Sequence, residues 1–352
     1  MNWWHFFLIF FATMLIIGML GVELFGLFLL IVFLLGGGYF LAAQFDAFRR
    51  PNAFINYLHA RNFLSQGKVN QALEHYDKAL SMNPSLEVAR REKAALLMMM
   101  ENPAGAEQVL EEAIEQSPDE TRLYQMRIRS LMNKHDYSGV LTESERILRN
   151  KPDYTLAYLH RAIAHHNMDR LSEAADDYER FIESNPRNLP AYANLAEVYI
   201  SLRQPARAAE LYDDAINQNA RFAPAYAGRG FLRAMGGDFD AGLDDAERAV
   251  KLAPDQPGVY YGRGCVLALM DDPQAAFDDF QYALELDADY HYAIAAMAAT
   301  HELGRRRLQA DATWRTLVKR DRRYADVEWV LTRYGWQGKL EDAARAIIGR
   351  IE

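Results

Sequence analysis

The residues able to do chemistry are few, and their spacing argues against each use in turn. A metal site needs ligands that converge, yet no His-Glu-x-x-His run occurs, and His160, His165 and His166 are five and six residues apart. On a helix that spacing sets His160 well away from the other two, so no metal is expected. Cys265 is the single cysteine, which rules out an intramolecular disulfide or a Cys-Cys knuckle. No His or acid stands near it in a nucleophile motif, so it reads as a buried or groove-lining thiol. Gly228-Arg229-Gly230 recurs as Gly262-Arg263-Gly264 inside helical patterns, and Gly36-Gly37-Gly38 lies in an apolar run, so none is a phosphate loop. Asp176-Asp177, Asp244-Asp245 and Asp278-Asp279 recur in register, with Asp213-Asp214 three residues out of it. Adjacent helical residues point about 100° apart, so these acids read as a solvated outer face and not as a cation ladder. No catalytic residue and no cofactor is expected.

The charges give no other lead. Net charge is -9, from 39 Lys and Arg against 48 Asp and Glu, interleaved without blocks, which does not suggest a nucleic-acid binder. The N-terminus is different. From Trp3 to Phe45, Glu23 is the only Asp, Glu, Lys or Arg. One helix of that length would be roughly twice the ~30 Å hydrocarbon core, so residues 1–46 predict a transmembrane hairpin turning at Gly21-Val22-Glu23. Gly18, Gly21, Gly36, Gly37 and Gly38 are its candidate membrane-packing residues, since small residues let helix backbones approach. No positive n-region or A-x-A-like cleavage site precedes it, which argues against a removable signal peptide. Arg49 and Arg50 follow the second span, placing the rest of the chain in the cytoplasm of what we expect to be a bacterial inner membrane.

Beyond a linker at 47–52 the organisation is a period. Pro84, Pro118, Pro152, Pro186 and Pro254 stand at a constant step of about 34 residues or at twice that step, with Ala220 in the gap. One small-residue column runs Ala60, Ala94, Ile128, Ala162, Ala196, Gly230, Gly264, Ala298. A second runs Ala72, Ala106, Val140, Ala174, Ala208, Gly242, Ala276, Ala310, and a mostly bulky one Tyr76, Leu110, Ser144, Tyr178, Tyr212, Ala246, Phe280, Trp314. Small residues on two facing helices permit close approach while a bulky residue four positions on fills the space beside them. The period therefore predicts a helical hairpin per repeat, the second helix starting at Asn102-Pro103, Pro205 and Asp272-Pro273, where capping side chains or proline fit a first turn.

These columns, in this order and at this period, resemble the tetratricopeptide repeat family. The resemblance covers residues 53–324, in units starting near 53, 87, 121, 155, 189, 223, 257 and 291. It implies an all-α chain: a right-handed solenoid of about eight helix pairs behind the membrane hairpin, closed by capping helices over 325–352. The unit at 121 departs furthest from the pattern, with Ile128, Val140, Ser144 and Ile147.

The resemblance also implies that exposed faces of the first helices line a concave, partner-binding groove. Its candidate residues are Tyr57, Arg61, Arg91, Met98, Arg129 and Met132 in the first half, suited to acidic and apolar groups together. Leu159 and Ile163 follow, then Phe231 and Tyr261 in a narrower apolar half. The set of inner Lys, Asn and Arg residues with which chaperone-binding members hold a terminal carboxylate is absent, so binding of those acidic tails is disfavoured. The function this supports is a membrane-anchored scaffold or assembly factor recruiting protein partners, peptide or helix, through the groove. The alternatives are a permanent accessory subunit of a larger membrane complex, docked through the hairpin, and an enzyme.

Overall fold

A computed structural model describes residues 52–100, 102–116 and 121–351. The expected membrane hairpin, with its glycines and Arg49-Arg50, lies outside the described residues. Among those described, no helix is long and apolar enough to cross a membrane. The described chain is helical. Its first helix, α1, spans 52–65. Then follow α2 (Val69–Met82), α3 (Glu87–Met99), α4 (Pro103–Gln116), α5 (Thr121–Asn133), α6 (Tyr137–Asn150), α7 (Thr155–Asn167), α8 (Leu171–Ser184) and α9 (Leu189–Ser201). The series continues with α10 (Pro205–Gln218), α11 (Ala223–Met235), α12 (Phe239–Leu252), α13 (Pro257–Leu269), α14 (Pro273–Leu286), α15 (His291–Leu303) and α16 (Arg307–Arg320). A 3-10 turn, Arg322–Ala325, leads into α17 (Val327–Tyr334) and α18 (Lys339–Ile351). The described residues fall into two compact units, divided between Ser130 and Leu131.

In the first unit Tyr57, Ala60, Ala72, Tyr76, Ala79, Ala89 and Leu96 form one core between α1, α2 and α3. In the second, the same columns build the core of each helix pair, and glycine appears where approach is closest. A Cβ on Gly230 would lie 2.7 Å from the Gly242 carbonyl oxygen, and one on Gly242 would lie 2.9 Å from that of Gly230. This is the repeat in which Ala246 takes the bulky position, so nothing large holds the helices apart. Where the bulky residue is Phe280, Gly264 supplies the space: a Cβ there would meet the ring at 2.5 Å.

The turn inside each hairpin has one backbone habit. Gly67, His135, Asp169, Arg203, Gly237, Asp271 and Arg305 all have positive φ and keep the step of the repeat, though only two are glycine. The others accept a conformation that costs about 1 to 2 kcal/mol for an L-residue. The helix starts read from sequence are present: Asn102 and Asp272 accept from the amides of Gly105 and Ala275, at 3.1 and 3.0 Å.

One expectation fails. Asp176, Asp244 and Asp278 are exposed, but Asp177, Asp245 and Asp279 are buried. Each takes both oxygens to an arginine 16 residues earlier: Arg161 to Asp177 (2.7 and 2.7 Å), Arg229 to Asp245 (2.8 and 2.8 Å), Arg263 to Asp279 (2.8 and 2.6 Å). Each guanidinium also lies 5.4 to 5.7 Å from the tyrosine ring three residues before it: Tyr158, Tyr226 and Tyr260. The pair joins the first helix of a repeat to its second, and the planar fork of arginine matches the carboxylate bidentately. Asp245→Ala would remove the bidentate partner of Arg229, leaving it only Asp213 at 2.6 Å, and would also unpair Arg233, which reaches Asp245 at 2.7 Å. We expect a loss of about 3 kcal/mol, as for a broken buried pair, against less than about 0.5 kcal/mol for exposed Asp244→Ala, measured by urea unfolding. Equal losses would contradict the pairing.

Candidate partner-binding groove

In the first unit, two of the predicted groove residues are engaged. The Tyr57 ring is buried, and its hydroxyl donates to Glu92 Oε1 at 3.0 Å while Tyr76 donates to Oε2 at 2.8 Å. Burial and the carboxylate hydrogen bond push the Tyr57 hydroxyl above its ordinary pKa. Arg61 is exposed, 3.7 Å from the same carboxylate. Arg91 is half-buried and Arg129 exposed, and neither has an ion-pair partner among the described residues. Met98 is half-buried.

In the second unit Met132 is half-buried, and Leu159 and Ile163 lie half-buried against the core formed by α7 to α11. Phe231 is buried. Tyr261 meets Tyr290 and Tyr292 edge to face, with ring centroids 6.0 and 5.6 Å apart. Cys265 is fully buried beside it, and burial pushes its thiol up to about 12, which leaves it protonated at neutral pH.

What the sequence did not reveal is the path of the C-terminal segment. Helix α18 packs on α13, α15 and α16 as a terminal cap does, but α17 lies against α9. It is anchored at both ends. Tyr324 and Tyr334 share a buried hydroxyl-hydroxyl hydrogen bond of 3.0 Å, and the Trp314 indole donates to the Tyr324 carbonyl at 2.9 Å. At the far side, Asp169 Oδ2 accepts from Arg323 at 2.7 Å and from the Trp329 indole at 2.9 Å, and Arg333 donates to the His166 carbonyl at 3.4 Å. Gly335 makes the approach possible. It has φ of +63°, and a Cβ there would overlap Ile200 Cγ2 of α9.

Under this segment is a cavity of about 170 Å³. Its floor is the first helices α9, α11 and α13, and its roof includes Arg333 and Tyr334. Tyr212, Phe231, Tyr261, Tyr290 and Tyr292 give it an aromatic wall, and Glu197 and Arg333 face it. Gly228 lets Tyr212 into that wall, because a Cβ there would occupy the position of the ring. Glu197 is surface-accessible, yet makes no hydrogen bond or ion pair among the described residues; the crowding around it raises its pKa, with Arg333 opposing. His166, buried near Arg333, is pushed down to about 3 by desolvation and by that guanidinium. The site residues legible in the sequence here were Phe231 and Tyr261. Glu197 stands one repeat, 34 residues, before Phe231, a spacing that could have found it, but only the folded chain shows that it has no ion-pair partner among the described residues.

The comparisons agree with this architecture. Residues 63–129 and 177–210 each match the tetratricopeptide repeat family. A tetratricopeptide repeat protein of Parabacteroides merdae superposes with a TM-score of 0.58 at 15% identity, covering 71% of this chain and 99% of that one. A human IFIT1 dimer with m7Gppp-AAAA superposes at 0.51 and 13% identity, over 80% of this chain and 75% of that one. The sequence has no match among curated proteins. The fold is that of a tetratricopeptide-type solenoid, a class that generally mediates protein–protein contacts; no enzyme family is indicated.

Gly335→Ala should cost about 1 to 3 kcal/mol through overpacking against Ile200, on top of the positive-φ penalty. Gly338→Ala, with φ of +59° and nothing within 4 Å of its Cβ position, should show the conformational penalty alone. Equal costs in urea unfolding would show that α17 is not docked there. A second expectation follows from His166. The unfolded chain takes up a proton near pH 6.5 while the folded one resists to about 3, so this stability is present above pH 6.5 and lost as pH falls below it. Unfolding midpoints at pH 7.5 and 5 should differ, and less so in His166→Gln.

Proposed function

We propose that this protein is a membrane-anchored scaffold or assembly factor that recruits partner proteins through its helical repeats. The observation that carries the reading is the unfilled concavity of the second unit: an aromatic-walled recess on the inner helices, holding an accessible carboxylate that is unpaired among the described residues. Packed repeats have no structural use for such an opening. The first unit adds Arg91 and Arg129, charges without ion-pair partners among the described residues, and the half-buried, adaptable Met98. The matching repeat family supports protein binding as the class of activity.

The anchor is proposed from residues 1–46, whose composition suits two spans, and the cytoplasmic placement of the repeats in a bacterial inner membrane from Arg49-Arg50. A cysteine placed at Asn2 should be protected from a membrane-impermeant thiol probe in intact cells and labelled after lysis. Labelling from outside would overturn the topology.

For recruitment, the test is affinity copurification in mild detergent. Arg91→Glu with Arg129→Glu should weaken capture of partners at least about tenfold if these charges meet desolvated acidic groups. Reversals on exposed outer positions should change it little. Unaltered capture by the double variant, at low and high salt, would remove the first unit from the binding surface.

A further inference from the structure

We infer that the recess of the second unit receives a basic side chain, lysine or arginine, presented by the partner, with Glu197 as its counter-ion and the aromatic wall as its cage. This rests on the recruitment reading and gives it a chemistry.

Glu197 projects from α9 into the recess, remains accessible, and has no hydrogen bond or ion pair among the described residues. It stands in a partly enclosed cavity of about 170 Å³ with no protein group to neutralise it directly among the described residues. A carboxylate so placed is raised above its ordinary pKa by crowding, with Arg333 as the opposing influence. A cation able to reach it would recover that lost solvation as a charge-assisted hydrogen bond.

Arg333 is the cationic residue of the described lining. It influences Glu197 through space, but no ion pair joins the two among the described residues. It is already committed: its guanidinium donates to the His166 carbonyl at 3.4 Å and lies 6.0 Å from the centre of the Tyr292 ring. Asp169 adds a second carboxylate to its surroundings. The arginine is thus held to the roof by other groups, while the carboxylate opposite is open.

Tyr212, Phe231, Tyr261, Tyr290 and Tyr292 line the recess, and a cation over an aromatic face is attracted by its quadrupole, most strongly when desolvated. An anion would gain nothing from those faces and would meet Glu197. A purely apolar side chain would fill the space but leave the carboxylate buried and unpaired, which is costly. The recess has room for a side chain and no folded element, so the partner's backbone must lie outside it. The chain's net charge of -9 would favour the approach of a basic segment from a distance.

The test uses the purified full chain in detergent and three fluorescein-labelled peptides of one length, with alternating Ala-Lys, Ala-Gln or Ala-Glu sequence, read by fluorescence anisotropy. The lysine peptide should bind and the other two should not. Glu197→Gln, confirmed to be folded by an unchanged or higher Tm, should weaken that binding at least about tenfold, whereas Asp176→Asn on the exposed surface should change it by less than about twofold. Equal losses in the two variants would reduce the effect to general attraction by an acidic chain and overturn the assignment. So would lysine-peptide binding by Glu197→Gln at parental affinity. Binding of the glutamate peptide, lost in Arg333→Gln, would make the recess an anion site. Partner copurification that survives Glu197→Gln but fails with the Arg91 and Arg129 reversals would leave recruitment standing and overturn the basic-side-chain assignment alone.

Discussion

The second unit depends on the two helices of a repeat meeting closely through small residues, most of them fully buried alanines. At Gly230 and Gly242 the approach is so close that neither position has room for a methyl group. Everything on the inner face follows from this distance. A wider gap would need filling from the first helices, and residues such as Tyr261 and Phe231 would turn into the hairpin core. With the gap closed by small residues, at most one bulky side chain per repeat is needed there, and the inner face is free to carry its own chemistry.

That division was largely legible in the sequence, because the constraint is steric and repeats at a fixed step. Ala60 and Ala72, or Ala196 and Ala208, announce close approach by their size and spacing alone. Electrostatic pairing was not legible in the same way. Asp245 and Asp244 are neighbours of one type, and helical direction alone does not say which is buried. A signal existed in the pairing of columns. Arg161, Arg229 and Arg263 stand 16 residues before Asp177, Asp245 and Asp279. The repeat between carries Leu195 and Leu211 at both places, so arginine and aspartate come and go together. The path of α17 left less trace. Its contacts with Asp169 and His166 join the segment after the last repeat to a turn in the fourth, and nothing periodic marks Trp329 or Gly335 as long-range partners.

The recess draws on both kinds of information. Its floor consists of repeat positions and would exist in any stack of such helices. Its roof is supplied by one short helix held through Asp169, the left-handed residue of a hairpin turn. A turn position with φ of +59° projects its side chain where no helical residue could, which makes it a natural handle. The repeats thus supply the carboxylate and the aromatic wall, and the C-terminal segment, through Arg333 and Tyr334, turns them into a cavity.

The tie between Asp169 and the 322–336 segment also changes how such a molecule can come apart. An open stack of repeats behaves as a one-dimensional chain: each repeat senses its neighbours, and the terminal ones fray first. Linking the fourth repeat to the segment beyond the eighth turns that line into a loop, in which the last repeat cannot peel away until the link itself is broken. Loss of order at one end must then be felt across the unit, and contacts of such long sequence separation are assembled late and slowly in folding. The same segment that roofs the recess thus gives a modular array the cooperativity of a single globular domain.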